Sequence, residues 1–220
     1  MRLTITRRRE MLKRLEKIYQ GATTGLVFGS SFELLVAVIL SAQCTDTRVN
    51  IITRRIFPVW NSPGKMFDLG VERLEELIHD CGLFRAKAKN ILGTCRMLVE
   101  QYNGEVPGTM EELMKLPGVG RKTANVMLSH QFGVPAIAVD THVFRVSNRT
   151  GLAQGKTPDD VEQGLMKLIP SPQWSDAHHW LIWHGRKICR ARNPFCGQCC
   201  IGDLCPSSTI QSGEKVTGNL

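Results

Sequence analysis

The chain has 220 residues, 42% of them hydrophobic, and a formal net charge of +8. This length predicts one or two domains with a hydrophobic core. The positive charge is typical of a protein that acts on a polyanion, with nucleic acid the leading candidate, although solubility alone also explains it. The longest apolar run, Leu34 to Leu40, is far shorter than the roughly 20 residues a membrane-spanning helix needs, so we expect no membrane contact.

The N-terminal segment is rich in arginine and has no long apolar stretch behind it, which predicts that there is no signal peptide. An arginine-rich transit peptide is the alternative, and Glu10 and Glu16 argue mildly against it. We therefore expect a cytoplasmic protein whose cysteines are reduced thiols or metal ligands before they are disulfides.

Apolar periodicity predicts an almost entirely helical chain. The first helix carries Leu12, Leu15, Ile18 and Tyr19, and Ser31 is expected to cap an apolar, buried helix over 32–40. Further helices are predicted at 46–57, 71–78, 87–102, 109–115, 121–132, 157–168 and 174–187, with another beginning after a short extended segment at 135–139. The segment 206–220 is rich in Ser, Thr and Gly and is expected to be disordered.

Five of the eight cysteines fall between residues 189 and 205, and four of these are candidate metal ligands: Cys189, Cys196, Cys199 and Cys205. Thiolates suit zinc or an iron–sulfur cluster, and only one pair here has the C-x2-C spacing that zinc sites usually repeat. The spacing predicts a metal centre and leaves the metal open. Arg186, Lys187, Arg190 and Arg192 surround this segment. They can contact DNA phosphates, offset the charge of four thiolates, or do both.

The remaining thiols are expected to play no part in that centre. Cys200 lies beside the four cysteines but is not expected to be a ligand. Cys44, Cys81 and Cys95 are expected on predicted helices, where cysteine is typically a small buried apolar side chain.

A second motif is the turn Leu116-Pro117-Gly118-Val119-Gly120, which joins two predicted helices. The glycines allow a tight turn, and Gly120 opens a helix whose amides and dipole favour an anion. Such a turn can bind one DNA phosphate without reading sequence, although a plain helix–helix connector is its commoner meaning. Arg121 and Lys122 follow at once, which favours the phosphate interpretation.

Lys122 falls in the first turn of that helix, where the dipole disfavours a protonated amine. A neutral lysine amine can attack a sugar carbon as a nucleophile, whereas the hairpin by itself favours a phosphate-binding or solvated lysine. Asp140 precedes another predicted helix, and either it or Thr141 can act as N-cap. Asp140 can also stabilise positive charge on a deoxyribose ring or help to activate the nucleophile, and His142 can contact phosphate or merely pack.

In these motifs the chain resembles the endonuclease III family of the helix-hairpin-helix DNA glycosylase superfamily. The matching segments occur in the family's order and cover nearly the whole chain: 32–46, 82–90, 116–125, 139–145 and the four-cysteine loop.

The resemblance implies a bifunctional enzyme that removes oxidised pyrimidines from duplex DNA and then cleaves the abasic site by β-elimination. Lys122 would be the nucleophile and form a Schiff base, with Asp140 as the accompanying carboxylate. The cysteines would hold a 4Fe–4S cluster with a structural and DNA-docking role. Gln43 would fill the gap left by the extruded nucleotide, and Leu83 would wedge into the duplex.

The family fold implies two all-α domains with the DNA cleft between them. A six-helix domain carrying the helix-hairpin-helix motif would span 24–134, and residues 1–23 with 135–205 would form the cluster domain. Lys122 and Asp140 would then face each other across the cleft. Partners would be double-stranded DNA with damaged bases or abasic sites, contacted by Leu116, Gly118, Gly120, Arg121, His142, Arg186, Lys187 and Arg190. A monomer associated with a prokaryotic nucleoid is expected.

The chain departs from the family pattern at Ser31, where proline is expected, at His130, where a small or apolar residue is expected, and at the extra thiol Cys200. Two other functions compete. An adenine-excising relative shares the hairpin and cluster but lacks the lysine. A non-catalytic, metal-stabilised DNA-binding protein would explain charge, hairpin and thiolates, but not Lys122 and Asp140 together.

Overall fold

The computed structural model describes residues 3–209, and within them there are eleven α-helices, two short 3-10 helices and no strand. The all-α expectation is therefore confirmed. None of the described helices is both long and apolar enough to cross a membrane. The expected disorder at 206–220 falls mostly outside the described residues. Contacts divide the chain into two compact units, with boundaries between Thr24 and Gly25 and between Val134 and Pro135.

The hairpin unit, residues 25–134, holds seven helices. They are α2 (Ser31–Ser41), α3 (Asp46–Ile56), α4 (Pro63–Phe67), α5 (Val71–Ile78), α6 (Phe84–Gln101), α7 (Met110–Leu113) and α8 (Arg121–Gln131). The sequence predicts six, because the five-residue α4 is too short to show an apolar period. Helix α2 is buried along most of its length and packs against α3, α6 and α8.

Two predicted boundaries in this unit are wrong. Ser30, and not Ser31, is the N-cap of α2, since its hydroxyl accepts from the Glu33 amide at 3.1 Å. Ser31 is the first helical residue, and its hydroxyl donates to Gln131 Oε1 at 2.8 Å. Helix α6 begins at Phe84, three residues before the predicted start.

The cysteine unit contains the chain on either side of the hairpin unit, residues 3–24 and 135–209 as described. Its helices are α1 (Ile5–Tyr19), α9 (Thr141–Thr150), α10 (Pro158–Leu168) and α11 (Trp174–Lys187), with 3-10 turns at Ser171–Gln173 and Cys196–Gln198. Helix α11 packs against α1 and α9 around a core that includes Met11, Val146 and Trp180. The segment 135–139 forms no regular element, although most of it is buried.

Candidate functional site

The hairpin in the hairpin unit is held by close packing on α6. Pro117 lies so near Gly93 that a Cβ there would come within 3.1 Å of the proline ring. Gly118 has φ +79°, and a Cβ on it would lie 2.9 Å from the Asn90 Cβ. The Thr94 hydroxyl donates to the Pro117 carbonyl at 2.8 Å. Gly118 is therefore required both for its left-handed backbone and for its lack of a side chain.

The hairpin residues differ in what they expose. Leu116 and Val119 are buried and anchor the turn, whereas Gly118 and Gly120 are exposed. Leu116 was predicted to contact DNA, but the whole residue is only 2% exposed, which leaves it almost no surface for such a contact. The exposed surface of the turn is thus mainly backbone, which suits an anion better than a base.

Lys122 is the second residue of α8 and is half-buried, as is its neighbour Arg121. Gly120 is the N-cap of α8 and supplies no side-chain hydrogen bond. The first turn of α8 carries no acidic residue. Two basic residues thus lie at a helix start whose dipole already favours negative charge, so this end of α8 is suited to an anionic ligand.

Asp140, in the cysteine unit, is the N-cap of α9. Its Oδ1 accepts from the amides of His142 at 2.9 Å and Val143 at 2.7 Å. This confirms the capping interpretation of Asp140 over Thr141. Both bonds end on the same oxygen, so capping does not by itself use Oδ2.

His142 follows Asp140 and is half-buried. Its Nδ1 lies 3.1 Å from the Arg145 guanidinium. Burial lowers the pKa of His142, and the charges of Arg145 and Arg186 act in the same direction while Asp140 opposes them. A neutral imidazole beside Arg145 is the consequence at pH 7, which makes His142 a hydrogen-bonding group before it is a cation.

Gln43 and Leu83 both lie in loops of the hairpin unit, Leu83 as the N-cap of α6. Both have a left-handed backbone, with φ +52° and +60°, a conformation uncommon in residues other than glycine. Leu83 is 58% exposed. Residues held in this backbone region often mark functional sites, because the surrounding structure must compensate the strain.

The four predicted ligand cysteines line one small cavity in the cysteine unit, together with apolar side chains such as Ile188 and Phe195, and Cys200 is not part of its lining. Among the described residues no three His, Cys, Asp or Glu side chains are placed to hold a single metal ion. The four thiols share one cavity, and thiolates are ligands both for zinc and for iron–sulfur clusters.

Burial raises the pKa of two of the four thiols that line this cavity. Burial raises the pKa of the Cys199 thiol to about 12 and also raises that of Cys205, whereas coordination to a metal deprotonates a thiol outright. Cys199 Sγ lies 3.6 Å from His184 Nε2, and the other ring nitrogen of His184 lies 3.2 Å from the Tyr19 hydroxyl. Burial lowers the pKa of His184 to about 4, so this histidine is neutral at pH 7.

Arginine side chains hold the backbone of the cysteine loop, a feature that the sequence did not reveal. Arg149 donates to the carbonyls of Arg190 at 2.7 Å and Ala191 at 3.2 Å, and it lies 3.5 Å from Cys189 Sγ. Arg145 donates to the Cys189 carbonyl at 3.1 Å. From α1, Arg7 and Arg14 reach loop carbonyls as well.

The cations predicted to contact phosphate are exposed and lie over aromatic rings. Arg186 and Lys187 are 5.7 and 5.6 Å from the centre of the Trp183 ring. Arg190 lies 4.5 Å from the centre of the Phe195 ring. Stacking on a ring limits the freedom of a long side chain while its charge stays in solvent.

The departures at Ser31, His130 and Cys200 have distinct environments. His130 is half-buried near the end of α8, and burial lowers its pKa. The carbonyl of Cys200 accepts from Arg14 at 3.2 Å, and burial raises the pKa of its thiol to about 11. Cys44 and Cys81 were expected on helices as buried side chains, but both lie in loops and Cys44 is partly exposed, whereas Cys95 is buried in α6 as expected.

Comparison with known proteins shows similarity along most of the chain. Residues 36–171 match the HhH-GPD superfamily of base excision DNA repair proteins. The chain is 54% identical over 199 residues to endonuclease III of Escherichia coli strain K12, covering 90% of this chain and 94% of the relative.

Solved structures show the same likeness. A non-covalent endonuclease III–DNA complex has a TM-score of 0.90 at 49% identity, covering 93% of this chain and 96% of that one. A trapped covalent endonuclease III–DNA intermediate has a TM-score of 0.90 at 49% identity, covering 93% and 97%.

Proposed function

We propose that Lys122 is the nucleophile of the reaction that this protein catalyses. The chain belongs to the endonuclease III family of the HhH-GPD superfamily. The protein is a base-excision DNA glycosylase and abasic-site lyase. The observation that supports Lys122 is its position as second residue of α8, directly after a hairpin packed to expose its backbone. An amine there is adjacent to the helix start that suits a phosphate.

The chemistry assigned to Lys122 has two stages. Its neutral amine attacks C1′ of the damaged nucleotide, the glycosidic C–N bond breaks, and the base leaves with the bonding electron pair and a proton. The C1′–O4′ bond then breaks as the remaining N–H proton is transferred to the ring oxygen, which becomes a hydroxyl, and an imine forms between Lys122 and C1′. Removal of a C2′ proton then expels the 3′ phosphate by β-elimination, and water releases the lysine.

Asp140 is the carboxylate that we assign to the same reaction. Its N-cap bonds fix the carboxylate at the start of α9, which is a rigid mount for a charged group. A carboxylate there can stabilise the positive charge that develops on the sugar as the base leaves. His142 and Arg121 are proposed as further contacts to the DNA backbone, as are Arg186, Lys187 and Arg190.

Gln43 and Leu83 are proposed to act on the duplex when the damaged nucleotide leaves the stack. Gln43 offers a donor and an acceptor to the base left without a partner, and exposed Leu83 is an apolar wedge between base pairs. We propose oxidised pyrimidines in double-stranded DNA, together with abasic sites, as substrates, acted on by a monomer in the bacterial cytoplasm.

A 4Fe–4S cluster held by Cys189, Cys196, Cys199 and Cys205 is the metal centre that we propose. Their shared cavity supports it, and when bound the cluster supplies a cross-link of four thiolates through redox-active iron. Purified protein should be brown, absorb broadly in the visible range and contain iron. A colourless protein that contains zinc would refute the cluster while leaving the assignment of Lys122 intact.

Borohydride trapping tests the role of Lys122. Reduction of the imine should link wild-type protein covalently to a duplex that carries an oxidised pyrimidine, and Lys122→Ala should abolish this product. Arg121→Ala is the matched control, because it removes the neighbouring charge and leaves the amine in place. If Lys122→Ala traps as well as wild type, the nucleophile is another residue.

A further inference from the structure

Gln43 and Leu83, two of the residues of the hairpin unit that have a left-handed backbone, lie in loops that touch. Gln43 follows the end of α2, and Leu83 precedes α6. A Cβ built on Gly82 would lie 3.3 Å from the carbonyl oxygen of Gln43. The backbone before Leu83 thus packs directly on the backbone at Gln43. A displacement of one loop therefore shifts the other.

A buried lysine forms hydrogen bonds to the segments that lead into both loops. Lys87, in the first turn of α6, is only 4% exposed. Its ammonium donates to the Leu40 carbonyl at 2.8 Å and to Cys81 Sγ at 3.0 Å. Leu40 lies three residues before Gln43, and Cys81 two residues before Leu83. A buried ammonium is costly unless it is hydrogen-bonded, so these contacts strongly constrain both segments.

The end of α2 shows why this link is needed. The last four carbonyls of an α-helix have no partner within the helix. Three of those in α2 are satisfied by donors close in sequence: Val38 by the Ser41 hydroxyl, Ile39 by the Ala42 amide and Ser41 by the Cys44 amide. Leu40 is buried and instead accepts from Lys87 and, at 3.4 Å, from the Cys81 thiol.

The helix dipoles also favour the position of the Lys87 ammonium at the end of α2. Lys87 stands near the start of its own helix, where the dipole disfavours a cation. The carbonyl end of α2 favours one, and this is where the ammonium lies. The cation therefore stabilises the contact between the two helix ends rather than α6 itself.

We propose that Lys87 is a positioning residue, which joins the end of α2 to the start of α6 so that Gln43 and Leu83 enter the duplex together. The inference rests on the proposed roles of Gln43 and Leu83 in nucleotide extrusion. Lys87 touches neither DNA nor the reacting atoms. Its contribution is to hold two loops in the one arrangement from which both side chains can act.

Lys87→Met tests this role, because it keeps the length of the side chain and removes the donor. The duplex carries an oxidised pyrimidine beside 2-aminopurine, whose fluorescence rises when it loses its stacking neighbour, and extrusion is followed by stopped flow. Extrusion and base excision should both slow by about tenfold or more, as for other misplaced groups. Cleavage of a preformed abasic site, where no base has to be unpaired, should slow by less than about threefold.

Three variants separate this role from general damage to the fold. Lys65→Met removes the same charge from an exposed side chain of α4, and this variant should extrude the nucleotide as fast as wild type. Lys87→Arg keeps a cationic donor and should recover part of the extrusion rate. Gly82→Ala adds a Cβ against the Gln43 carbonyl without touching the buried ammonium, and it should slow extrusion even if Lys87→Met does not fold.

Normal extrusion in Lys87→Met, or in Gly82→Ala if Lys87→Met does not fold, would overturn the proposal. Equal slowing of extrusion and abasic-site cleavage would also overturn it, because that result indicates general damage. Leu83→Ala and Gln43→Ala test the underlying function separately. If both extrude normally, the proposed function of the two loops fails. If they slow extrusion and Lys87→Met does not, only the role of Lys87 fails.

Discussion

The starts of α8 and α9 are built in opposite ways, although each carries a residue assigned to the reaction. Helix α8 begins with a glycine cap followed by Arg121 and Lys122, and no acidic residue lies in its first turn. Helix α9 begins with Asp140, whose carboxylate accepts from two amides. A helix dipole favours the second arrangement and opposes the first.

The two helix starts differ in whether the stability of the helix explains the residues found there. At α8 the missing cap and the cations are a local disadvantage, and a ligand that binds there, such as a phosphate, can compensate it. At α9 the carboxylate stabilises the helix by about 1 kcal/mol whatever else it does, so its local role fully accounts for its presence. Capping by itself therefore gives no sign of the second role proposed for Asp140.

The largest expected effect separates the two roles of Asp140. Asp140→Asn keeps a side-chain oxygen that can cap α9, but removes the charge, so base excision should fall by about 10²–10³-fold with little change in stability. Asp140→Ala should lose the same activity and about 1 kcal/mol of stability as well. Single-turnover excision and urea unfolding measure both. Normal excision by Asp140→Asn would leave Asp140 as a cap only.

A smaller effect is expected where the hairpin before α8 approaches α6. Gly118→Ala places a Cβ 2.9 Å from the Asn90 Cβ on a backbone with φ +79°, and should cost about 1–3 kcal/mol of stability.

Gly104→Ala is the matched control, because Gly104 has φ +78° and open space around its Cβ position. It should show only the backbone cost, about 1 kcal/mol. The difference between the two unfolding free energies measures the close approach. DNA affinity should fall in Gly118→Ala and not in Gly104→Ala, and equal affinities would argue against a hairpin–phosphate contact.

The smallest change in stability is expected when α8 receives an aspartate N-cap like that of α9. A side chain at Gly120 meets no neighbour and the backbone there is extended, so Gly120→Asp can cap the helix. Stability should rise by about 0.3–1 kcal/mol, while DNA affinity falls because a carboxylate now occupies the phosphate position.

Gly120→Ser, a neutral cap, controls for the added side chain and should lower affinity less. Affinity measured by fluorescence anisotropy at two salt concentrations separates the charge effect from a steric one. An unchanged affinity in Gly120→Asp would show that the start of α8 does not bind phosphate.

Much of the helical pattern was open to prediction because it depends on neighbours in sequence. Apolar periodicity located most of the helices, and Pro117 with Gly118 located the hairpin. Short-range signals did not predict the structure where two neighbouring residues can both act as N-cap, or where a helix is very short. Ser30 caps α2 although Ser31 is an equally good cap chemically, and α4 is too short to establish a period.

Sequence alone determined the chemistry that the chain can perform: a lysine after a Pro-Gly turn, an aspartate before a helix, and four thiols in one segment. Tertiary structure alone decided which side chains are strained, buried or braced. Leu83 is exposed in a left-handed backbone, Lys87 is buried between two helix ends, and Arg149 holds the cysteine loop from a helix 40 residues away. The physical reason is the separation in sequence over which each kind of interaction acts. Turn and cap preferences act over a few bonds, whereas burial and long-range hydrogen bonds exist only after distant segments have packed.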